Sequence, residues 1–286
     1  MSESIERVGV VGAGLMGAGI AEVAAKAGTD VTVCDINDAA VAAGRSRIEA
    51  SLQKAVRAGK LEDDAAMAAL ARVRFVTDIG ELADRQIVVE AVREFEDEKL
   101  EVFRSLGKIV IDEDAILASN TSSIPIMKLA MATERPSNVI GIHFFNPVPV
   151  LPLVELVPSL LTAPETVNQA RAFVEGRLGK QAINCQDRAG FVVNALLIPF
   201  ILSAIRMLES GFATATDIDR GLVLGAAHPQ GPLALADLIG LDTTKAVAES
   251  LYEEFKEPLY AAPPLLNRMV DAGLLGRKTG RGFYTY

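Results

Sequence analysis

The chain has no tryptophan, two cysteines and two histidines in 286 residues. Cys34 and Cys185 are too few and too far apart for a disulfide framework or a metal knuckle, so no staple and no metal site is expected, and both read as small buried hydrophobes. An excess of positive charge is missing too. The net charge of -9 argues against a phosphate backbone as main partner, and no nucleic acid is expected. No apolar run approaches the roughly 18 residues of a membrane span. The opening MSESIERVGVVGAG lacks the basic-then-apolar pattern of an export signal, so a cytoplasmic chain away from the membrane is expected. What is abundant is apolar content, 50% of residues, enough for two cores at this length.

With histidine so scarce, its placement is informative. His143 follows an apolar strand-like stretch, and twelve residues on a lone acid, Glu155, sits inside the next apolar stretch. An unpaired carboxylate is costly to bury there. The two read as a general base and the group that orients it. His228 precedes Pro229 at a helix end and reads as packing or capping.

Upstream, the apolar run from Ile5 to Val11 leads into Gly12-Ala13-Gly14-Leu15-Met16-Gly17 and an alanine-rich stretch to Ala27. That order predicts strand, turn and helix, with Gly12 for the tight turn, Gly14 for backbone approach to a pyrophosphate and Gly17 for close packing. Asp30 to Asp35 then reads as a second strand ending in an acid where ribose hydroxyls lie in dinucleotide-binding units. Asp35 would accept from a free 2′-hydroxyl and repel a 2′-phosphate, which favours NAD over NADP. Arg45 and Arg47 read as solvated helix charges.

Helical pattern runs from Asp38 to Ala71, broken near Gly59. Strands recur at 73–76, 86–92, 115–119 and 139–144, with a charged helix from Glu94 to Leu106 among them. The alternation predicts a Rossmann-type, mostly parallel, doubly wound α/β sheet with Glu90, Ser119, Asn120 and His143 beyond the carboxyl ends of its strands. After a helix to about Leu178 and a strand at 181–184, strand signals vanish. The expected division is a nucleotide domain over 1–186 and a smaller all-α domain over 187–286, the latter opening on an apolar helix from Phe191 that implies deep burial or a subunit contact. Asn194 inside it reads equally as a site residue or as a bond to a neighbouring helix.

These motifs, with VVEAV at 88–92, SNTSS at 119–123, HFFNP at 143–147, GFVVN at 190–194, HPQGPLALADLIGLD at 228–242 and GRKTGRGFYTY at 276–286, occur in an order that resembles the 3-hydroxyacyl-CoA dehydrogenases. Within them the chain is most similar to the short 3-hydroxybutyryl-CoA dehydrogenases. The resemblance implies that His143 and Glu155 are the dyad, that Ser119 lies near the substrate's 3-oxygen and that Asn194 completes the site. It implies cofactor contacts from Gly12 to Gly17, Asp35, Glu94, Lys99 and Lys278, and a coenzyme A contact from Ser51. Ala195, Phe95 and Ala58 depart from the family pattern; Ala58 leaves Lys54, Arg57 or Lys60 to supply charge near the coenzyme A, with Lys54 preferred. The implied activity is NAD-dependent interconversion of an (S)-3-hydroxyacyl-CoA and its 3-ketoacyl-CoA by a homodimer joined through the helical domain. The competing readings are a dehydrogenase of a free 3-hydroxy acid, whose relatives use lysine as base, and a non-catalytic NAD-binding protein.

Overall fold

The computed structural model describes residues 4–286. Backbone contacts divide the chain into one unit ending at Arg188 and a second from Ala189 to Tyr286. The division falls two residues beyond the expected 186 for a local reason. Asp187 accepts hydrogen bonds from the backbone of Ile126 and Met127, both at 2.8 Å, and so belongs to the first unit. Ala189 instead donates to Glu254 in the second.

The first unit opens with β1 (Arg7–Val11), α1 (Leu15–Lys26), β2 (Asp30–Cys34), α2 (Asp38–Arg57), α3 (Asp63–Ala71) and β3 (Val73–Val76). It continues through β4 (Ile87–Glu90), α4 (Glu96–Ile109), β5 (Ile116–Ser119), α5 (Ile126–Met131), β6 (Val139–Phe144), β7 (Leu153–Pro158), α6 (Pro164–Arg171) and β8 (Gln181–Asn184). One sheet holds all eight strands in the order β3-β2-β1-β4-β5-β6-β7-β8. Its pairs are parallel except β6 with β7, which run antiparallel because the chain returns through a loop of eight residues, too short for a crossover. Strands such as β1 and β4 are almost wholly apolar, as a sheet covered on both faces requires. The core gathers Val8, Val10, Ile20, Val31, Ile87, Ile140 and Phe144, all at most 1% exposed. Glu94 stands before α4 rather than inside it, and the helix expected to reach Leu178 widens into a π-helical stretch over Ala172–Arg177.

The second unit is all-α: α7 (Val193–Glu209), α8 (Ala215–Ala226), α9 (Pro232–Ile239), α10 (Leu241–Phe255) and α11 (Pro264–Asp271). Its core of Ile201, Leu202, Leu233, Leu241, Leu251 and Leu266 is fully buried. α7 is not buried all round, however: Ile201 and Ile205 face the core while Leu196 is 72% exposed. His228 lies against the Phe200 ring, centroids 5.4 Å apart, which is the packing role expected. Two buried acids fasten the carboxyl-terminal segment. Asp237 accepts from the backbone of Phe283 and Tyr284 and from the Tyr286 hydroxyl, and Asp219 accepts from Leu233, Ala234 and the Tyr284 hydroxyl. Among the described residues no helix is long and apolar enough to cross a membrane, and no cluster of three or more metal-ligating side chains occurs.

Candidate active site

Strand register builds the site. His143 and Glu155 are directly opposite in the antiparallel β6–β7 pair, so their side chains leave the same face a few ångströms apart. His143 Nδ1 donates to Glu155 Oε2 at 2.7 Å, and both residues are buried. A carboxylate only accepts, so Nδ1 is the donor there, and the Ser122 hydroxyl lies 3.0 Å from Nε2 on the other side of the ring. Phe145 packs edge-on against the imidazole, ring centroids 4.7 Å apart. Lys180 holds the loop joining the two strands, donating to Val148 O and Leu151 O at 2.7 Å each; burial, with Lys26 nearby, pushes its amine below the ordinary lysine value. Asn120 ties β5 to β6 by accepting from Phe144 N at 2.8 Å.

The serine beside His143 is therefore Ser122, and Ser119, expected near the substrate's oxygen, has a different partner. Ser119 has no exposed surface. Register places it beside Glu90 in the parallel β4–β5 pair, where its hydroxyl donates to Glu90 Oε2 at 2.6 Å. Ser119 thus ends its strand as a support, while Ser122, three residues on, lies in the turn that reaches the histidine. The quoted SNTSS motif already contained both; what distinguishes them is that a strand-terminal side chain can be claimed by the neighbouring strand.

A buried ion pair sets that turn. Lys99 Nζ lies 2.6 Å from Glu90 Oε1 and 3.2 Å from Glu94 Oε2, with the lysine 1% and Glu90 0% exposed. The carboxylate of Glu94 gathers the turn from outside, accepting from the Thr121 hydroxyl, from Ser122 N at 2.9 Å, and from Ser123 N and Oγ at 3.1 and 2.9 Å. Burial would raise its pKa, but Lys99 and these donors outweigh it and hold Glu94 below the ordinary carboxylate value. Lys99, expected as a cofactor contact, is buried under the turn, paired with Glu90 and Glu94.

The glycine-rich turn fits a dinucleotide. Gly12 has φ +102°, and a Cβ there would meet Ala91 O at 2.6 Å; one on Gly17 would meet Gly12 O at 1.8 Å. Both positions need glycine for the protein's own sake. Gly14 differs: a Cβ there would meet nothing within 4 Å, so its bareness leaves an open cradle at the amino end of α1. That first turn carries no acid and no side-chain cap, which leaves its N–H groups for a phosphate. Ala13 is buried, Met16 is half-buried and Leu15 is exposed at the rim. Asp35 is half-buried at the end of β2, accepting from Ala13 N at 2.6 Å and Ile36 N at 2.7 Å. Arg47, expected as a solvated charge, donates to Ala13 O at 3.1 Å and braces the turn, while Arg45 lies over the Phe75 ring. Burial beside Asp35 and Asp78 pushes the Cys34 thiol up to about 11, consistent with an inert thiol.

Ser51 lies half-buried on α2, and Lys54 is exposed one turn further on. Within the second unit Asn194 is half-buried in the first turn of α7. Lys278 reaches both carboxylate oxygens of Asp242 at the start of α10.

A model of the NAD-binding domain of 3-hydroxyacyl-CoA dehydrogenase matches residues 7–188, and the model of that enzyme's C-terminal domain matches residues 190–286. The chain belongs to the 3-hydroxyacyl-CoA dehydrogenase family. It is 58% identical to a 3-hydroxybutyryl-CoA dehydrogenase of Mycobacterium tuberculosis over 286 residues, 100% of both chains. It is 47% identical to a probable 3-hydroxybutyryl-CoA dehydrogenase of Deinococcus radiodurans, covering 98% of this chain and 100% of the relative. The crystal structure of (S)-3-hydroxybutyryl-CoA dehydrogenase from Ralstonia eutropha superposes with a TM-score of 0.93 at 47% identity, covering 99% of each chain.

Proposed function

We propose that the protein interconverts (S)-3-hydroxyacyl-CoA, with 3-hydroxybutyryl-CoA as the preferred substrate, and the matching 3-ketoacyl-CoA, using NAD. The carrying observation is the buried His143–Glu155 pair, with Nδ1 held and Nε2 turned toward Ser122. Oxidising a secondary alcohol requires removal of the hydroxyl proton as C3 gives up hydride, and bound NAD supplies the hydride acceptor. His143 Nε2 takes the proton, and Glu155 stabilises the imidazolium through Nδ1. Ser122 lies within hydrogen-bond reach of the same nitrogen and holds the substrate oxygen beside it. In reverse, protonated His143 donates to the 3-oxo group.

Around this centre, Gly12 to Gly17 and Asp35 take the pyrophosphate and ribose, and the Asp35 carboxylate favours NAD over NADP. Ser51 and Lys54 on α2 serve the coenzyme A. Asn194 and Lys278 are assigned by motif match alone, as a partner of the substrate oxygen and a cofactor contact. A cytoplasmic homodimer completes the reading.

NADH oxidation with acetoacetyl-CoA tests it, with NADPH, longer 3-ketoacyl-CoA substrates and free acetoacetate in parallel. Rapid turnover with acetoacetyl-CoA and NADH is expected. Turnover of the free acid alone would overturn the thioester assignment, and NADH binding without turnover would return the chain to a non-catalytic role.

A further inference from the structure

One buried acid has no role in the chemistry or the packing described above. Glu22 of α1, 2% exposed, lines a cavity of about 100 Å³ whose other walls include Leu15, Arg47 and Ser51, and Asn146 and Val148 of the loop after β6. Its Oε1 has no hydrogen-bond partner, and Lys26 Nζ stands 3.8 Å from it. Burial pushes this carboxyl above the usual carboxylate range, with Ser51 and Lys26 pulling the other way. A buried oxygen left without a donor is costly, and native interiors seldom tolerate one unless a water or ligand supplies the bond.

Size and lining narrow the occupant. The volume equals that of about three waters, or of a secondary amide with the methylenes beside it. Mostly apolar walls around one buried acceptor suit such an amide; a phosphate would face the carboxyl, and a bare alkyl chain would leave Oε1 unpaired. The pantetheine arm of an acyl-CoA carries secondary amides between methylene segments. Asn146 in the cavity wall follows His143 by three residues, and Ser51 is the residue already assigned to the coenzyme A. The cavity is therefore walled by the loop that follows His143 and by the helix that carries Ser51.

We propose that this cavity takes a secondary amide of the pantetheine arm, with Glu22 Oε1 accepting its N–H. The inference rests on the acyl-CoA reading above and adds to it the residue that makes the enzyme prefer a pantetheine thioester to a simple alkyl thioester.

Three substrates decide the matter: acetoacetyl-CoA, acetoacetyl-pantetheine and S-propyl acetothioacetate, which has no amide. In the parent, kcat/KM for acetoacetyl-pantetheine should exceed that for the propyl thioester by at least about tenfold, the worth of one hydrogen bond. In Glu22→Leu this preference should shrink by about the same factor, through KM rather than kcat. Glu22→Gln, whose amide oxygen still accepts, should restore it. Equal parental rates for the pantetheine and propyl thioesters would overturn the proposal without any variant, as would a Glu22→Leu preference equal to the parent's. Failure of the parent to turn over acetoacetyl-CoA at all would overturn the functional reading instead.

Discussion

Glu155 and Ser119 share a condition: each is a polar side chain with no exposed surface whose partner lies on the next strand. Burial makes those bonds strong and their loss costly. His143→Ala should lower kcat by about 10²- to 10⁴-fold with NADH affinity little changed, because the base is lost and the dinucleotide turn is not. Near-parental turnover would refute the dyad. The two serines should separate cleanly. Ser122→Ala, removing the hydroxyl beside Nε2, should reduce kcat by about tenfold or more, the scale of one hydrogen bond to a reacting group. Ser119→Ala should instead cost about 1 to 3 kcal/mol of stability by leaving Glu90 Oε2 without its donor, read in denaturant unfolding. The reverse pattern, a stable Ser119→Ala protein with crippled kcat, would reinstate Ser119 at the substrate.

Among the elements, the turn between β1 and α1 divides its glycines by task. Gly14→Ala should fold as the parent does, since open space receives the methyl, but should bind NADH more weakly, because the methyl occupies the cradle. Gly12→Ala should cost at least about 2 kcal/mol in stability, from a positive φ and a clash with backbone. Equal loss of stability in both variants, measured by thermal unfolding, would count against the cradle. The same turn shows why Arg47 escaped the sequence: a charge on an exposed helix face reads as solvated until the fold brings the carbonyl of Ala13, 34 positions earlier, within reach. Strand and helix positions were legible because the period-two and 3.6-residue patterns are local. Lys99 was legible as a family position, but its burial between Glu90 and Glu94 was not, because that depends on how α4 docks beneath the turn.

At the scale of the whole molecule, two features lead to measurements. Tyr284 is raised above its ordinary 10.0 by burial first and then by the bond to Asp219, while Tyr286 is raised by burial and by Asp237 against the pull of Arg277. The folded chain keeps a phenolic proton that the unfolded chain releases. This contribution is therefore fully present below about pH 10 and is lost as the pH rises above it. Stability should fall between about pH 10 and pH 12, and Tyr284→Phe should flatten that fall in urea unfolding; an unchanged slope would rule the tyrosine out. The second unit also leaves large apolar side chains in the open, among them Leu196 at 72%, Phe212 at 80% and Leu224 at 74% exposed. Single exposed leucines are ordinary, but several on one small helical unit favour a partner surface. A homodimer is expected in sedimentation equilibrium, with Leu196→Lys shifting it toward monomer; a parent that stays monomeric at micromolar concentration would refute it.

Sequence by itself determined the strand–turn–helix that cradles a dinucleotide, the acid that ends β2, the pairing of His143 with Glu155, and the family, because each is written in short-range spacing and residue chemistry. Tertiary structure alone decided that Ser122 rather than Ser119 faces His143, that Lys99 is sealed between two acids, and that Glu22 keeps an oxygen without a donor. Those outcomes depend on register and docking, between residues 29 apart for Ser119 and Glu90 and 21 apart for Ser122 and His143, where the partner of a polar group is chosen by the fold and not by its neighbours in the chain.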